Sequence, residues 1–475
     1  MDVMLTYDRE AMDGLGSSDV LQLIQSHMEN QVPGFQKNLD YYLGQHAILE
    51  KERTDGNGNE GPNAQPVCNH AKDIADTAAG YFLGNPITYR LVGQEERQDA
   101  FDSLIAAFDE ATTEDDDQEN ALMLSICGKA YEYIYVAEDE PALKEKPIDP
   151  QNAFLVYDQS IEHRELFGVY YYQKKSDLDT QAEREEDEIY FLVMTETELR
   201  YYKAPLGSEE DVPPYEVQAH NLGRVPLIEY KNNRFAIGDF EQQIGLIDAY
   251  NTMMADRIND KEQFIDSILA IYGATLGDSE EESEDAMDAL QKQKLLELPL
   301  DAKAEYIVRQ LDESGMETLR DAIKEDIYTF SGVPNLTDEN FSGNSSGVAM
   351  EYKLLGLEML TKTKERWYRR SLRQRIDIFL HFLGLKGQRL EEKDIEVTFS
   401  RSLPKNLLEL SQIIGNLEAD VSKRTLLSLL PFVEDPEAEL AALAAEESED
   451  AQTQQEAFGA TTEEGSENES PLDDE

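Results

Sequence analysis

The sequence is poor in basic residues and almost free of cysteine. Its 475 residues include 42 Lys and Arg against 99 Asp and Glu, which gives a formal net charge of −57. Because proteins bind nucleic-acid phosphates mainly through Lys and Arg, this balance argues against a simple basic DNA-binding face. It favours solubility and repulsion from other polyanions. Cys68 and Cys127 offer no disulfide framework and are typical of a reducing cytosol, so we expect two small buried residues.

Targeting and membrane-spanning patterns are also missing. The first ten residues, MDVMLTYDRE, contain neither a basic region nor an apolar core, so we expect no signal peptide. The longest apolar runs, such as LLSLLPFV at 426–433, are far shorter than the roughly 18 residues that a membrane span requires. We therefore predict no membrane partner.

The common signatures of metal and cofactor sites are absent or broken. No glycine-rich loop leads into Gly-Lys-Ser/Thr, so we predict no nucleotide hydrolysis. The stretch DGNGNE at 55–60 resembles the start of an EF-hand loop, but Glu60 replaces its glycine and Pro66 its final glutamate. The six histidines are scattered, so Cys68 and His70 lack a second pair of zinc ligands. We predict neither a metal nor a cofactor.

The pentapeptide GNSSG at 343–347 matches G-x-S-x-G, the nucleophile elbow of α/β-hydrolases. An elbow follows a core strand, whereas the preceding residues, SGVPNLTDE, contain no apolar or β-branched run. The one downstream histidine, His381, lies in a predicted helix rather than on a loop that could reach Ser345. We favour a mobile Gly/Ser/Asn loop leading into a helix, and keep a serine hydrolase centred on Ser345 as an alternative.

The order of elements predicts an α+β fold that is mainly helical. Short aromatic and β-branched segments at 130–235 predict a meandering antiparallel sheet. A long helix follows from Gly238, with a narrow seam that consists of Ile244, Ile247, Asn251, Met254, Ile258, Lys261 and Ile265. A small insert then contains the strands ILAIYG (268–273) and EYIVRQ (305–310), and its acidic turn GDSEEESED (277–285) is too charged to be packed in a core.

Two charged segments stand out in the second half. TKTKERWYRRSLRQR at 361–375 has seven Lys or Arg against Glu365. Alone it suits phosphate binding, but in so acidic a chain, pairing with carboxylates of neighbouring helices or subunits is an equally good interpretation. Residues 434–475 contain sixteen acidic side chains and no Lys or Arg, and this composition predicts disorder at 446–475.

Three stretches of this sequence resemble the portal proteins of tailed bacteriophages, most closely the siphophage portal family of Gram-positive hosts. They are NHAKDIADTAAGYFLGNPITY (69–89), DAYNTMMADRINDKEQFIDSILAIYG (248–273) and SGVPNLTDENFSGNSSGVAMEYKLLGLEMLTKTKERW (331–367). The likeness extends over roughly residues 20–430. It implies a non-enzymatic protein that forms a ring, usually of twelve subunits, at one capsid vertex. Through this ring DNA is packaged and later ejected.

The resemblance also implies a division into parts. These are a wing (1–237), a first stem helix (238–267), a clip (268–311), a second stem helix (312–331), a tunnel loop (332–347), a long helix with a wing strand (348–403), a crown (404–445) and the acidic tail (446–475). The expected location is the virion, with the host cytoplasm during assembly. An acidic scaffold or head-morphogenesis protein without a channel remains a second alternative.

Candidate site residues follow from these parts. The implied partners are other copies of the chain, double-stranded DNA, the terminase large subunit, a head-completion or adaptor protein, and the scaffold and major capsid proteins. We expect DNA to pass the tunnel-loop residues Asn340, Ser342, Asn344, Ser345 and Ser346. We expect the clip residues Glu280, Glu281, Glu282 and Glu284 to contact partners. We expect an inter-subunit basic face that consists of Arg366, Arg369, Arg370 and Arg373.

Overall fold

The computed structural model describes most of the chain in two units. The described residues are 4–53, 62–92, 97–137, 141–173, 188–263, 268–272, 303–307, 313–336, 350, 352–385, 387, 390–401, 407–417, 421–430, 433, 436 and 439–445. The first unit combines residues 1–336 with 354–402, and the second combines 337–353 with 403–475.

The first unit is built around long helices. Its α-helices are α1 (Ser17–Asn30), α2 (Val32–Tyr42), α3 (His70–Leu83), α4 (Gln98–Ala111), α5 (Thr113–Cys127), α6 (Ile244–Gln263), α7 (Glu313–Ser331) and α8 (Leu355–Leu385). Asn69 caps α3 by accepting from the Lys72 backbone N–H at 3.0 Å, and the helix ends before Gly84. Asn is common at the N-cap because its side chain accepts from a backbone N–H of the first turn, and Gly is common just after the last turn.

The β-rich middle forms two sheets. The strands of the first unit are β1 (Leu5–Tyr7), β2 (Thr88–Leu91), β3 (Lys129–Val136), β4 (Leu143–Ile148), β5 (Ala153–Asp158), β6 (Glu165–Gln173), β7 (Glu188–Met194), β8 (Glu198–Pro205), β9 (Glu216–Ala219), β10 (Leu227–Lys231), β11 (Ile268–Tyr272), β12 (Lys303–Ile307) and β13 (Ile395–Thr398). The six-stranded sheet has the order β1-β5-β6-β7-β8-β9, and the three-stranded sheet has the order β10-β3-β4. The predicted meander is confirmed from β5 to β9, but the expectation of one sheet was wrong. Strand β1 adds a parallel neighbour to β5, and β3, β4 and β10 pair separately.

The two sheets pack face to face. Tyr131 and Leu227 of the smaller sheet meet Leu155 and Met194 of the larger sheet in one buried cluster. Gly168 permits this close approach, since a Cβ atom at that position would lie 2.9 Å from Leu227 Cβ. The opposite face of the large sheet is covered by α1 through a second buried cluster.

Helices α6 and α7 pack against each other. Between them in the chain, β11 pairs with β12 in a two-stranded antiparallel sheet. Both strands were predicted. The helix α6 begins at Ile244, later than the predicted Gly238, because Glu241–Gln243 form a 3₁₀ turn. The predicted seam is buried as far as Asn251, but Lys261 is exposed.

The helix α8 runs through the body of the first unit. It extends from Leu355 after a turn at Leu354, and residues 350, 352 and 353 are also helical, while the predicted start at 348 lies outside the described residues. Its apolar stripe is buried and consists of Leu372, Ile376, Phe379 and Leu383, spaced by three and four residues. The predicted strand β13 is also present and pairs with β2.

The second unit contains α9 (Leu407–Leu417) and α10 (Lys423–Leu427). Ser422 caps α10 by accepting from the backbone N–H of Thr425 at 3.4 Å. No helix among the described residues is long and apolar enough to cross a membrane.

Candidate functional site

Two of the three predicted site groups lie outside the described residues. These are the tunnel-loop set (Asn340, Ser342, Asn344, Ser345 and Ser346) and the clip set (Glu280, Glu281, Glu282 and Glu284). The third group, the basic face of Arg366, Arg369, Arg370 and Arg373, lies on α8 and is fully described. The tail at 446–475 is also outside the described residues.

The basic face divides into two kinds of arginine. Arg369 is half-buried, pairs with Glu365 at 2.7 Å, and lies 5.3 Å from the ring centre of Phe399. Arg373 pairs with Glu392 at 3.1 Å. Arg366 and Arg370 are exposed, and neither has an ion-pair partner within 4.0 Å among the residues that the structure describes. The charges available to a neighbouring molecule are therefore mainly those of Arg366 and Arg370.

Two further cations of the same basic stretch, Lys364 and Arg375, are fully buried. The ammonium group of Lys364 pairs with Asp239 and donates to Ser125 Oγ at 2.8 Å. This contact ties α8 to α5 and to the segment that precedes α6. The interpretation that basic residues of 361–375 pair with carboxylates of neighbouring helices is thus correct for these positions, within one chain.

Arg375 forms the centre of a buried acidic cluster. Its guanidinium donates to Asp117 Oδ1 at 2.8 Å and to Glu132 Oε1 at 3.0 Å, and lies 3.3 Å from Glu145 Oε2. Tyr368 donates to the same Asp117 oxygen at 2.5 Å. These contacts join α5, β3 and β4 to α8, so they fix the helix that carries the exposed arginines.

Three carboxylates surround one guanidinium in this cluster, so the electrostatics favour a bound proton. Burial, together with the nearby Glu132 and Asp117, raises the pKa of Glu145 to about 10 despite the opposing effect of Arg375. Neither carboxyl oxygen of Glu145 makes an aligned hydrogen bond. Burial likewise raises the pKa of Asp117, although Arg375 and Tyr368 oppose the rise. We infer that Glu145 is the neutral member at pH 7.

A second buried carboxylate, Glu229 on β10, has the opposite environment. Lys129 and Lys231 lie 3.2 Å and 2.9 Å from its oxygens. The hydroxyl groups of Tyr131 and Tyr157 donate to it at 2.9 Å and 2.8 Å. Although burial opposes ionisation, the two ammonium groups hold the pKa of Glu229 well below its usual range. Ser371 of α8 donates to the Glu229 backbone carbonyl at 2.6 Å.

Sequence reasoning missed both buried clusters. A signal for Arg375 exists, because it is seven residues after the buried Tyr368 and adjoins Ile376, in the helical phase of the apolar stripe. A charged residue in that phase indicates a buried ion pair. The inward position of Glu132 between buried strand residues is a similar signal.

The structure gives no support to the catalytic and metal alternatives within its described part. His381 lies on α8 and is exposed, as expected from the helical pattern. In the described ranges, no group of three or more His, Cys, Asp and Glu side chains could hold a metal ion. Cys127 is buried, and burial raises the pKa of its thiol, but Cys68 is only half-buried, so the prediction of two buried cysteines was correct for one.

The chain belongs to the family described as "Phage portal protein, SPP1 Gp6-like", whose profile matches residues 21–453. It is 25% identical over 442 residues to the portal protein of Bacillus phage SPP1, covering 88% of this chain and 84% of that protein. It is also 25% identical to the portal protein of Clostridium phage phiCD119 (strain Clostridium difficile/United States/Govind/2006), covering 84% of this chain and 89% of that one.

Two solved particles of gene transfer agents contain similar chains. A chain of the neck of an empty particle, computed with C6 symmetry, has a TM-score of 0.44 at 11% identity, covering 76% of this chain and 89% of that one. A chain of the native virion has a TM-score of 0.42 at 12% identity, covering 76% and 90%. The predicted family and the predicted α+β, mainly helical fold class are both confirmed.

Proposed function

We propose that this portal protein forms a ring of twelve subunits at one vertex of the capsid, with a central channel for double-stranded DNA. DNA would pass inward when the terminase packages it and outward when it is ejected. The family match over residues 21–453 is the observation that carries the proposal. The number twelve comes from the resemblance to other portal proteins.

The paired helices α6 and α7 suit the stem of such a ring. They pack against each other, and β11 and β12, which pair with each other, lie between them in the chain, which suits the clip. We assign the stem to 238–267 and 312–331 and the clip to 268–311. The clip would contact the terminase large subunit during packaging and a head-completion or adaptor protein afterwards. Glu280, Glu281, Glu282 and Glu284 are the proposed contacts.

The tunnel loop, 332–347, would face the DNA between the stem and α8. Its hydroxyl and amide side chains make weak, exchangeable contacts with phosphates, whereas a basic lining would hold DNA through counterion release. Glu317, Asp321 and Glu325 are exposed on α7, where Arg320 pairs with the first two and offsets part of their charge. The remaining acidic charge of the stem would repel the DNA backbone. Tight binding would stop the duplex from moving through the channel.

The remaining parts would connect the ring to the particle. We assign the wing to 1–237, the long helix with its wing strand to 348–403, and the crown to 404–445. Scaffold and major capsid proteins are the proposed neighbours of the wing, and assembly would take place in the host cytoplasm. Family membership places the protein among the structural proteins of the virion. We propose that it has no enzymatic activity of its own.

Negative-stain electron microscopy of the purified chain tests the proposal directly. We expect rings with a central hole, and symmetry classification of top views should give twelve subunits. An assembly without a hole would contradict the channel and favour a scaffold protein. Ester hydrolysis that is lost in Ser345→Ala would instead favour the hydrolase.

A further inference from the structure

A surface cleft beside α8 contains the single tryptophan of the chain. The cleft has a volume of about 540 Å³ and lies between α8, β10 and the turn that joins β5 to β6. Trp367 and Arg370 form part of its α8 wall, and Ile161 lies on the opposite turn. Every residue that lines it belongs to the first unit.

Ile161 projects fully into solvent from a well-ordered turn. Its relative exposure is 96%, the highest of the large apolar residues described. Asp158 holds the turn by accepting from the Ser160 hydroxyl at 2.6 Å and from the Arg164 backbone N–H at 3.0 Å. Leaving apolar area exposed to water is unfavourable relative to burying it. A fixed, fully exposed isoleucine at the mouth of a cleft is therefore suited to insertion into a partner.

The charges around the cleft leave two guanidinium groups available. The acidic lining residues are already engaged within the chain: Glu229 by Lys231, Glu165 by Gln374 and Glu162 by Arg164. Arg234 and Arg370 are exposed, and neither forms an ion pair within 4.0 Å in the described ranges. The formal charges of the lining balance, with three acidic and three basic side chains, but the guanidinium groups of Arg234 and Arg370 are exposed at the rim and can pair with carboxylates of a partner.

The cleft places a tryptophan and an arginine near an exposed aliphatic side chain. Tryptophan and arginine are among the residues that contribute most of the binding energy at protein interfaces. A second copy of the chain supplies the complementary charge, because it carries 99 acidic residues against 42 basic ones. In a ring, each subunit presents one face to the next subunit and a different face to the previous one. We propose that this cleft, the Trp367 cleft, receives an acidic surface of the neighbouring subunit in the ring. The proposal rests on the proposed ring assembly.

Trp367 itself reports on the proposal, since it is the only tryptophan in the native chain. Rings and monomers would be separated by size-exclusion chromatography, and tryptophan emission and acrylamide quenching would be measured for each. We expect ring emission to shift to shorter wavelength and the quenching constant to fall several-fold. Ile161→Asp should greatly reduce ring yield, because it places a carboxylate where the acidic neighbour binds, while circular dichroism of the monomer stays unchanged.

Leu43→Asp is the matched control, because Leu43 is 62% exposed and lies outside the cleft. It should assemble like the unmodified chain. Rings in which Trp367 is as quenchable as in the monomer would overturn the inference and leave the ring proposal intact. Normal ring yield with Ile161→Asp would overturn it as well. Absence of rings from the unmodified chain in all assembly conditions would contradict the proposed function, and the inference with it.

Discussion

Arg375 on α8 and Glu132 on β3 form an ion pair from which solvent is entirely excluded, since each side chain has a relative exposure of 0%. The pair connects the helix that follows the tunnel-loop segment to the sheet of the proposed wing. Removing one partner of a buried pair leaves a desolvated charge without compensation. The pair therefore holds α8 against β3, because separating the two would leave both charges without a partner.

Replacing Arg375 should destabilise the protein strongly. In Arg375→Met, Asp117, Glu132 and Glu145 lose their shared cation, and we expect a loss of about 3–5 kcal/mol in the free energy of unfolding. Urea denaturation of the monomer, followed by circular dichroism, measures this. Arg373→Met is the control on the same helix. Its exposed pair with Glu392 should contribute less than about 1 kcal/mol. Equal losses in the two variants would contradict the buried-pair account.

Glu145 should make the stability depend on pH. Its pKa of about 10 in the folded state lies above the ordinary 4.5, so unfolding releases a proton between these values. Stability should therefore fall as pH rises across this window, by up to about 1.4 kcal/mol per pH unit from this group. Glu145→Gln keeps the neutral shape and should remove that slope with little effect at pH 7. A large destabilisation at pH 7 would show that Glu145 is ionised there.

Periodic segments were predictable from the sequence, whereas the partners of the buried charged residues were not. The helix α3, the strands β5 to β8, and the buried stripe of α8 follow from apolar spacing and caps, which are local properties of the chain. The pairing of Arg375 with Asp117 brings together residues that are 258 positions apart, and no local pattern specifies it. The parallel addition of β1 to β5 also depends on tertiary packing rather than on a turn.

Local spacing distinguishes the arginines of the basic face only in part. Glu365 precedes Arg369 by four residues on α8, so this ion pair is local, and Arg370 has no acidic residue at the same spacing. The contact of Arg369 with Phe399 depends instead on the position of the chain after β13. Sequence could therefore predict a basic helix, but not which of its charges remain available.

The acidic clip turn should affect partner binding rather than assembly. Replacing Glu280, Glu281, Glu282 and Glu284 by Gln removes four negative charges from a turn that the sequence predicts to be exposed. We expect normal rings by electron microscopy and an altered affinity for the terminase or the adaptor protein. Surface-plasmon resonance with each partner checks this. Unchanged affinity together with unchanged packaging would contradict the assignment.

The acidic C-terminal segment should be dispensable for folding. Residues 446–475 contain few large apolar side chains, so they have little means of offsetting an ordering cost of roughly 1–2 kcal/mol per residue. Deleting them should leave the melting temperature nearly unchanged in differential scanning calorimetry. A large fall would mean that the segment docks on the body of the protein.

The basic face of α8 should serve ring assembly before it serves DNA. Arg366 and Arg370 are the two members without an ion-pair partner in the described part of the chain, and in a ring their neighbours would be carboxylates of the next subunit. Arg366→Glu with Arg370→Glu would place like charges together, at a cost of roughly 3–5 kcal/mol for each pair that the ring buries. We expect loss of rings in sedimentation, with the circular dichroism of the monomer retained.

A control variant separates the loss of these two arginines from a general change of net charge. Lys37→Glu with Lys51→Glu alters the net charge by the same amount at exposed positions outside α8, and should leave assembly intact. Reversal of Arg369 should instead lower the stability of the monomer, because Glu365 and Phe399 already bind its side chain. If the Arg366 and Arg370 variant forms normal rings that fail to package DNA, the arginines contact DNA directly and the charge-pairing account is wrong. A guanidinium that faces the channel would strengthen phosphate binding, so its reversal would then change packaging without changing the ring.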